Sequence, residues 1–187
     1  VPFDHFNLIA KYYDRGIDFI PSEELIQLLG LPTKGSLLDA GGGTGRVAAA
    51  LRTQAGRIVV SDPSRGMLRY AREKELVAIC APGEHLPFPS GSFDRILMVD
   101  AFHHVLDQGR TIDELWRVLR PGGRILIIEP DIHQFIVRLI ALGEKILLMR
   151  SHFLSHEKIT SLFNGKNARV KVVKSMNNVM VLVEKAR

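Results

Sequence analysis

Short apolar runs and helix-spaced apolar positions alternate along the first two thirds of this chain. Runs with strand character fall at Ser36–Ala40, Arg57–Asp62, Leu76–Ala81, Phe93–Asp100 and Arg124–Pro130. Between them the spacing predicts helices over Arg46–Arg52, Ser64–Lys74 and Thr111–Leu119. Thr111 offers an N-cap, with Glu114 three residues on completing a capping box. That helix is expected to stop before the breaker cluster Arg120–Pro121–Gly122–Gly123. Alternation of this kind argues for an α/β fold, a parallel sheet with helices on both faces. The end of the chain differs: the β-branched runs Val170–Val173 and Val179–Val183, joined through Ser175–Asn178, read as an antiparallel hairpin.

Two further segments are helical in pattern. Phe3–Asp14 is rich in aromatics, and Ile132–Phe163 holds more apolar positions than one core-facing stripe needs. Both are expected to cap a ligand cleft, the second alternatively supplying ordinary core and a dimer face. The division expected is one domain over 1–187, with a helical cap over 1–30 and a helical lid over 131–165. Trp116 lies among Ile112, Leu115 and Leu119 at helical spacing and belongs to a core face.

Composition adds exclusions. The chain has 187 residues, 46% hydrophobic and 24% charged, enough for one good core. The richest apolar run, Ile132–Met149, is interrupted by Arg138, Glu144 and Lys145, so no membrane span is expected. No signal-peptide pattern is present at the start. Cys80 is the one cysteine, which excludes an internal disulfide and suits a reducing, cytoplasmic setting; within its apolar run it reads as a buried, inert thiol. Residues 158–187 carry seven Lys and Arg against Glu184 alone. From Lys166 on no aromatics interleave with those charges, so a solvated face is favoured over a nucleic-acid or membrane patch. The histidines show no metal-ligand spacing, and no metal is expected.

The most specific segment is Leu37–Leu38–Asp39–Ala40–Gly41–Gly42–Gly43–Thr44–Gly45–Arg46: a strand, an acid, and a glycine loop opening a helix. A dinucleotide fingerprint G-x-G-x-x-G fits Gly41 and Gly43 but meets Arg46 at its third glycine. Asp39 would also set a negative charge beside a pyrophosphate held at the helix N-terminus, whereas an ammonium or sulfonium would be favoured there. The segment resembles motif I of the S-adenosylmethionine-dependent methyltransferases of the Rossmann-like class. Phe6–Asn7–Leu8–Ile9–Ala10–Lys11–Tyr12–Tyr13–Asp14, Val59–Val60–Ser61–Asp62–Pro63–Ser64 and Gly83–Glu84–His85–Leu86–Pro87–Phe88 through Ser92–Phe93–Asp94 extend the likeness. Together they resemble the quinone-biosynthesis C-methyltransferase and methyltransferase type 11 group.

The resemblance implies a Rossmann-like three-layer sandwich. Its seven-stranded, mostly parallel sheet would have order 3-2-1-4-5-7-6, with the last strand antiparallel. It implies S-adenosylmethionine as cofactor and S-adenosylhomocysteine as product. The cofactor residues it implies are Tyr13, Asp39, Ala40, Gly41, Gly43, Asp62, Pro63, Met67, Gly83, Glu84, Asp100 and Ala101. Asp62 would take the ribose hydroxyls, with Ser64 capping the next helix in its place, and Pro63 and Met67 would flank the adenine. The family's adenine-binding aspartate is Pro82 here, which has no side-chain acceptor and no N–H; the expectation is weaker cofactor binding or a compensating contact through Glu84 or His85. Of the pair His103–His104 after the fourth strand, His104 is the candidate general base. The function implied is methyl transfer to an apolar small-molecule acceptor: a quinone precursor, lipid or metabolite. The alternatives are a catalytically silent cofactor-binding or regulatory module on the same fold, and an NAD-linked reductase. No DNA partner and no dedicated RNA module are expected. The basic tail leaves RNA methylation and peripheral membrane contact open.

Overall fold

The computed structural model describes residues 19–132, 152–175 and 178–187. The sequence features at Phe3–Asp14, including Tyr13, and most of the expected lid lie outside the described residues. In chain order the elements are α1 (Glu23–Leu29), β1 (Thr33–Ala40), α2 (Arg46–Ala50), β2 (Ala55–Asp62), α3 (Arg65–Glu73), β3 (Val77–Cys80) and β4 (Phe93–Val99). A 3-10 turn (Phe102–His104), α4 (Gln108–Val118), β5 (Leu119–Pro130), α5 (His156–Ser161), β6 (Ala168–Lys174) and β7 (Asn178–Lys185) complete them.

The strands form one seven-stranded sheet of order β3-β2-β1-β4-β5-β7-β6. Strands β1 to β5 are parallel, and β7 runs antiparallel to both β5 and β6. This is the sheet order and strand sense the sequence resemblance implied. The central strands are apolar at consecutive positions because both of their faces are covered, as parallel sheets require. Leu38, Ile96, Ile125, Ile127 and Val181 pack on one face with Ile112, Leu115 and Val118 of α4 and Ile159 of α5. Leu37, Val60, Leu97, Leu126 and Leu182 pack on the other with α1, α2 and α3 through Leu25, Leu29, Val47, Ala48 and Leu68. Each such side chain withdrawn from water contributes about 1.5–3 kcal/mol. Two separate cores thus stabilise the one sheet.

Several local expectations shift. Helix α4 begins three residues before Thr111: Asp107 is the N-cap, its side chain accepting from Arg110 N at 2.9 Å. Thr111 is fully buried inside the helix and donates its hydroxyl to the Asp107 carbonyl. Glu114 closes no capping box. It accepts from Leu86 N at 2.8 Å and pairs with Arg117. Strand β5 starts at Leu119, so the breaker cluster lies inside the strand, at an irregularity in its pairing with β4. Cys80 is exposed, because β3 is an edge strand whose pattern of burial is shallow. Of the described part of 1–30, α1 covers the sheet rather than a cleft, and Arg124 of β5 donates to the Leu28 carbonyl at its C-terminal end.

Two of the basic C-terminal residues have structural partners. Lys166 pairs with Asp113 at 2.6 Å, and Lys185 donates to the carbonyls of Trp116 and Leu119 at the end of α4 while lying over the Trp116 ring. Among the described residues, no helix is long and apolar enough to cross a membrane.

Candidate active site

The site is built where β1 and β4 end side by side and their chains part, the crevice at which open α/β sheets bind ligands. After Ala40 the backbone turns through Gly41–Gly45 into α2. Gly41 N and Gly42 N both donate to the Ser61 carbonyl, at 2.7 and 3.2 Å, and Gly45 N donates to Gly42 O at 2.8 Å. Gly41 adopts φ +69°, and a Cβ there would lie 2.6 Å from the Cβ of Ala101. The loop therefore needs glycine at 41 both for its backbone and for the close approach of the β4 exit.

A cavity opens above this loop. Asp39, Gly41, Gly43, Asp62, Pro63, Met67, Gly83, Glu84, Asp100, Ala101 and His104 all line it, so eleven of the residues singled out from sequence converge. Ala40 does not: it faces the opposite way from Asp39 and is buried in the core beside Leu38 and Val59. The alternation of side chains along a strand makes that unavoidable once Asp39 faces the cavity. Tyr13 lies outside the described residues. The sequence reading missed Thr44, Arg46, Val47, Met98, Val99, Val105 and Leu106, which also contribute to the wall. Their place follows from the loop and strand ends, and the apolar tail of β4 was the available signal.

Two carboxylates dominate the electrostatics. Asp39 is 1% exposed, and its Oδ2 has no hydrogen-bond partner. Burial pushes its pKa up to about 7, and the neighbouring Asp62 charge adds to the rise, against the pull of the Ala48 backbone hydrogen bond and of Arg46. Asp62 accepts from Gly43 N at 3.0 Å through one oxygen and from Ser64 N at 2.8 Å through the other. Ser64 caps α3 as expected, accepting from Met67 N. Asp62 is thus fixed by the loop on one side and the helix start on the other, at the cavity wall.

The wall formed by Pro82–Glu84 is tied down elsewhere. Glu84 Oε1 accepts from Leu106 N and Asp107 N at 2.7 and 3.1 Å. His85 meets Arg110 on the outside. Glu84 therefore fastens the loop before α4, and His85 does not line the cavity. Of the two expected outcomes at Pro82, weaker cofactor binding or compensation, these side-chain contacts favour the first.

At the β4 exit Asp100 adopts φ +49°, rare for a residue with a Cβ, and its burial raises its pKa. His104 stands at the cavity wall, and burial, with His103 adding, pushes its pKa down to about 3. Its place at the cavity wall is where a general base would stand, while the lowered pKa makes the ring a weak proton acceptor. The sequence reading overlooked Glu129. Its Oε1 accepts from Ala101 N and Phe102 N at 3.1 and 2.8 Å, and its Oε2 lies 2.6 Å from His103 Nδ1. Its signal was present: an acid ends β5 as Asp39 and Asp62 lie at or near the ends of β1 and β2. Among the described residues, no group of three His, Cys, Asp or Glu stands close enough to hold a metal ion.

Comparison with known proteins agrees with this geometry. Residues 38–127 match the family model described as a methyltransferase domain. The chain is similar to the ubiquinone/menaquinone biosynthesis C-methyltransferase UbiE of Escherichia coli (strain K12 / DH10B), 31% identical over 142 residues that cover 66% of this chain and 57% of that protein. The chain thus spans little more than half the length of that relative. Among solved structures, a SAM-dependent methyltransferase from Aquifex aeolicus superposes with a TM-score of 0.75 at 19% identity, covering 97% of this chain and 98% of that one. Geranyl diphosphate C-methyltransferase from Streptomyces coelicolor A3(2), solved with Mg2+, geranyl diphosphate and S-adenosyl-L-homocysteine, gives 0.72 at 15% identity, covering 88% and 77%. The sheet order, the acid-led glycine loop and the match over residues 38–127 together liken this chain to the methyltransferase-domain family.

Proposed function

We propose that this chain binds S-adenosylmethionine in the cavity between β1 and β4 and transfers its methyl group to an apolar small-molecule acceptor. The observation that carries the reading is the buried, unpartnered Asp39 Oδ2 at the cavity floor, under a loop in which glycine is required. A buried carboxylate oxygen without a partner is costly. A ligand cation supplies the missing partner, and a pyrophosphate would worsen the deficit.

The residues fit the cofactor in order. Asp39 would face the amino-acid end, and the backbone at Asp100 and Ala101 would flank it. Asp62 would accept from the ribose hydroxyls, Pro63 and Met67 would enclose the base, and the Gly83 and Glu84 N–H groups would meet its edge. The cofactor supplies an activated methyl on a sulfonium. The chain supplies alignment and a dry wall, and positioning of this kind is worth about 7–11 kcal/mol when the geometry is good. Leu106, 69% exposed where it joins the cavity wall, and Val105 beside it favour an apolar acceptor. The likeness to a quinone-biosynthesis C-methyltransferase puts a quinol among the first acceptors to try.

A second reading, a binding module without turnover, draws on Pro82 in the wall and on the weakly basic His104. Calorimetry with S-adenosylhomocysteine, followed by transfer from methyl-labelled S-adenosylmethionine to a panel including a prenylated hydroquinone, separates the two. Wild-type binding, weakened 10- to 100-fold in Asp62→Ala by loss of charged hydrogen bonds worth about 1.5–3 kcal/mol, supports the cofactor reading. Label transfer supports the enzyme. Binding without transfer to any acceptor favours the module, and absence of heat removes both.

A further inference from the structure

The carboxylate of Glu129 makes three contacts at the β4 exit: the amides of Ala101 and Phe102 on one oxygen and the ring of His103 on the other. Both partners of the side-chain pair are about 4% exposed. Hydrogen bonds made away from water and sharing one acceptor group reinforce one another. The segment they hold is strained. Asp100 sits in the left-handed region, which costs a non-glycine residue free energy and persists only where the surroundings over-determine it.

The surroundings here are identifiable. Asp100 N donates to the Ile128 carbonyl at 2.9 Å, the next two amides go to Glu129, and His104 N closes the 3-10 turn on Ala101 O. The ring of His103 is sandwiched, stacked on Phe153 at 4.2 Å and lying 3.9 Å from His104. The carbonyl of His103 receives His152 N at 2.7 Å. Gln108 bridges the carbonyls of Phe102 and His152. The residues that face the cavity at this end, Asp100, Ala101 and His104, all hang from the turn that Glu129 grips.

We propose that Glu129 is a positioning residue: gripping the two amides and the His103 ring, it holds Asp100 left-handed and sets the cavity wall at the methyl-transfer end. This rests on the cofactor reading above, which fixes which end that is. Glu129 itself does not line the cavity, so it acts through the turn.

Two probes test it on the full chain. S-adenosylhomocysteine carries the amino-acid end, and 5′-methylthioadenosine lacks it. In Glu129→Leu, affinity for the first is expected to fall at least tenfold and for the second to change less than twofold. Glu129→Gln keeps an acceptor for both amides and is expected to recover most of the loss. If Glu129→Leu does not fold, His103→Leu carries the same comparison, with a loss of about threefold or more for S-adenosylhomocysteine alone. Equal loss for both probes means a general loosening and overturns the proposal, as does no loss for either. If the wild type binds neither probe, the cofactor reading fails, and the positioning role is decided without ligand. Backbone carbon shifts at Asp100 are expected to be left-handed in the wild type and to revert in the broken variant; unchanged shifts overturn it.

Discussion

Asp39 and Gly42 are mutually constrained: a Cβ on residue 42 would lie 2.6 Å from Asp39 Oδ2, the same oxygen that has no hydrogen-bond partner. The loop is shaped around a carboxyl it does not satisfy. That arrangement has a consequence for stability as well as for binding.

The Asp39 carboxyl, pushed up to about 7 mainly by burial, holds its proton in the folded chain through a range where the unfolded chain has lost it. Its stabilising contribution is therefore complete below about pH 4, the ordinary value, and is lost as pH rises towards 7. By linkage this amounts to an upper figure of about 4 kcal/mol. Asp39→Asn, which stays neutral, is expected to equal the ligand-free wild type in stability near pH 4 and to exceed it at pH 8, while losing affinity for S-adenosylhomocysteine. Urea titrations at the two pH values measure the difference. A constant difference between the two proteins across that range would contradict the assignment.

Gly41 faces two demands at once, a left-handed backbone and the methyl of Ala101 at the distance where its own Cβ would stand. Gly41→Ala is expected to cost about 2 kcal/mol or more, from left-handed strain of about 1–2 kcal/mol with overpacking added. Ala101→Gly in the same chain relieves the collision but not the strain. Thermal unfolding of the single and double variants is expected to show partial recovery; no recovery would mean that Ala101 is not the obstacle.

Glu84 is a candidate cofactor contact through its N–H, while its side-chain Oε1 accepts from Leu106 N and Asp107 N. Glu84→Ala leaves two amides without their acceptor at the start of α4. The expected cost is about 1–3 kcal/mol in unfolding free energy, with Glu84→Gln milder because its carbonyl can still accept. Chemical denaturation checks this directly, and a full-strength fold in Glu84→Ala would contradict the fastening role of its side chain.

Much of this protein was legible before any coordinates. Alternating apolar runs and helical spacing marked the five parallel strands, because burial on both faces writes itself into consecutive positions such as Ile125–Ile128. The acid and glycines of residues 39–45 and the acid at 62 marked the cavity, because strand ends and tight turns are local events with local residue requirements. Ser64 declared itself a cap in the same way.

Tertiary structure decided the rest, and in each case through a partner far away in sequence. Helix α4 takes Asp107 as its N-cap, and Thr111 is packed beneath Gly83, where a Cβ would lie 3.0 Å from its methyl. Among the described residues β3 has a neighbouring strand on one side alone, and Cys80 on it is exposed. Glu84 fastens a loop more than twenty residues on, and Glu129 grips His103 twenty-six residues back. The chain's own pattern determined which segments are strands, where they turn and which turn can receive a cation, since those depend on neighbours along the backbone. Which carboxylates serve a ligand and which serve the fold was decided only when distant amides and rings came within hydrogen-bonding reach.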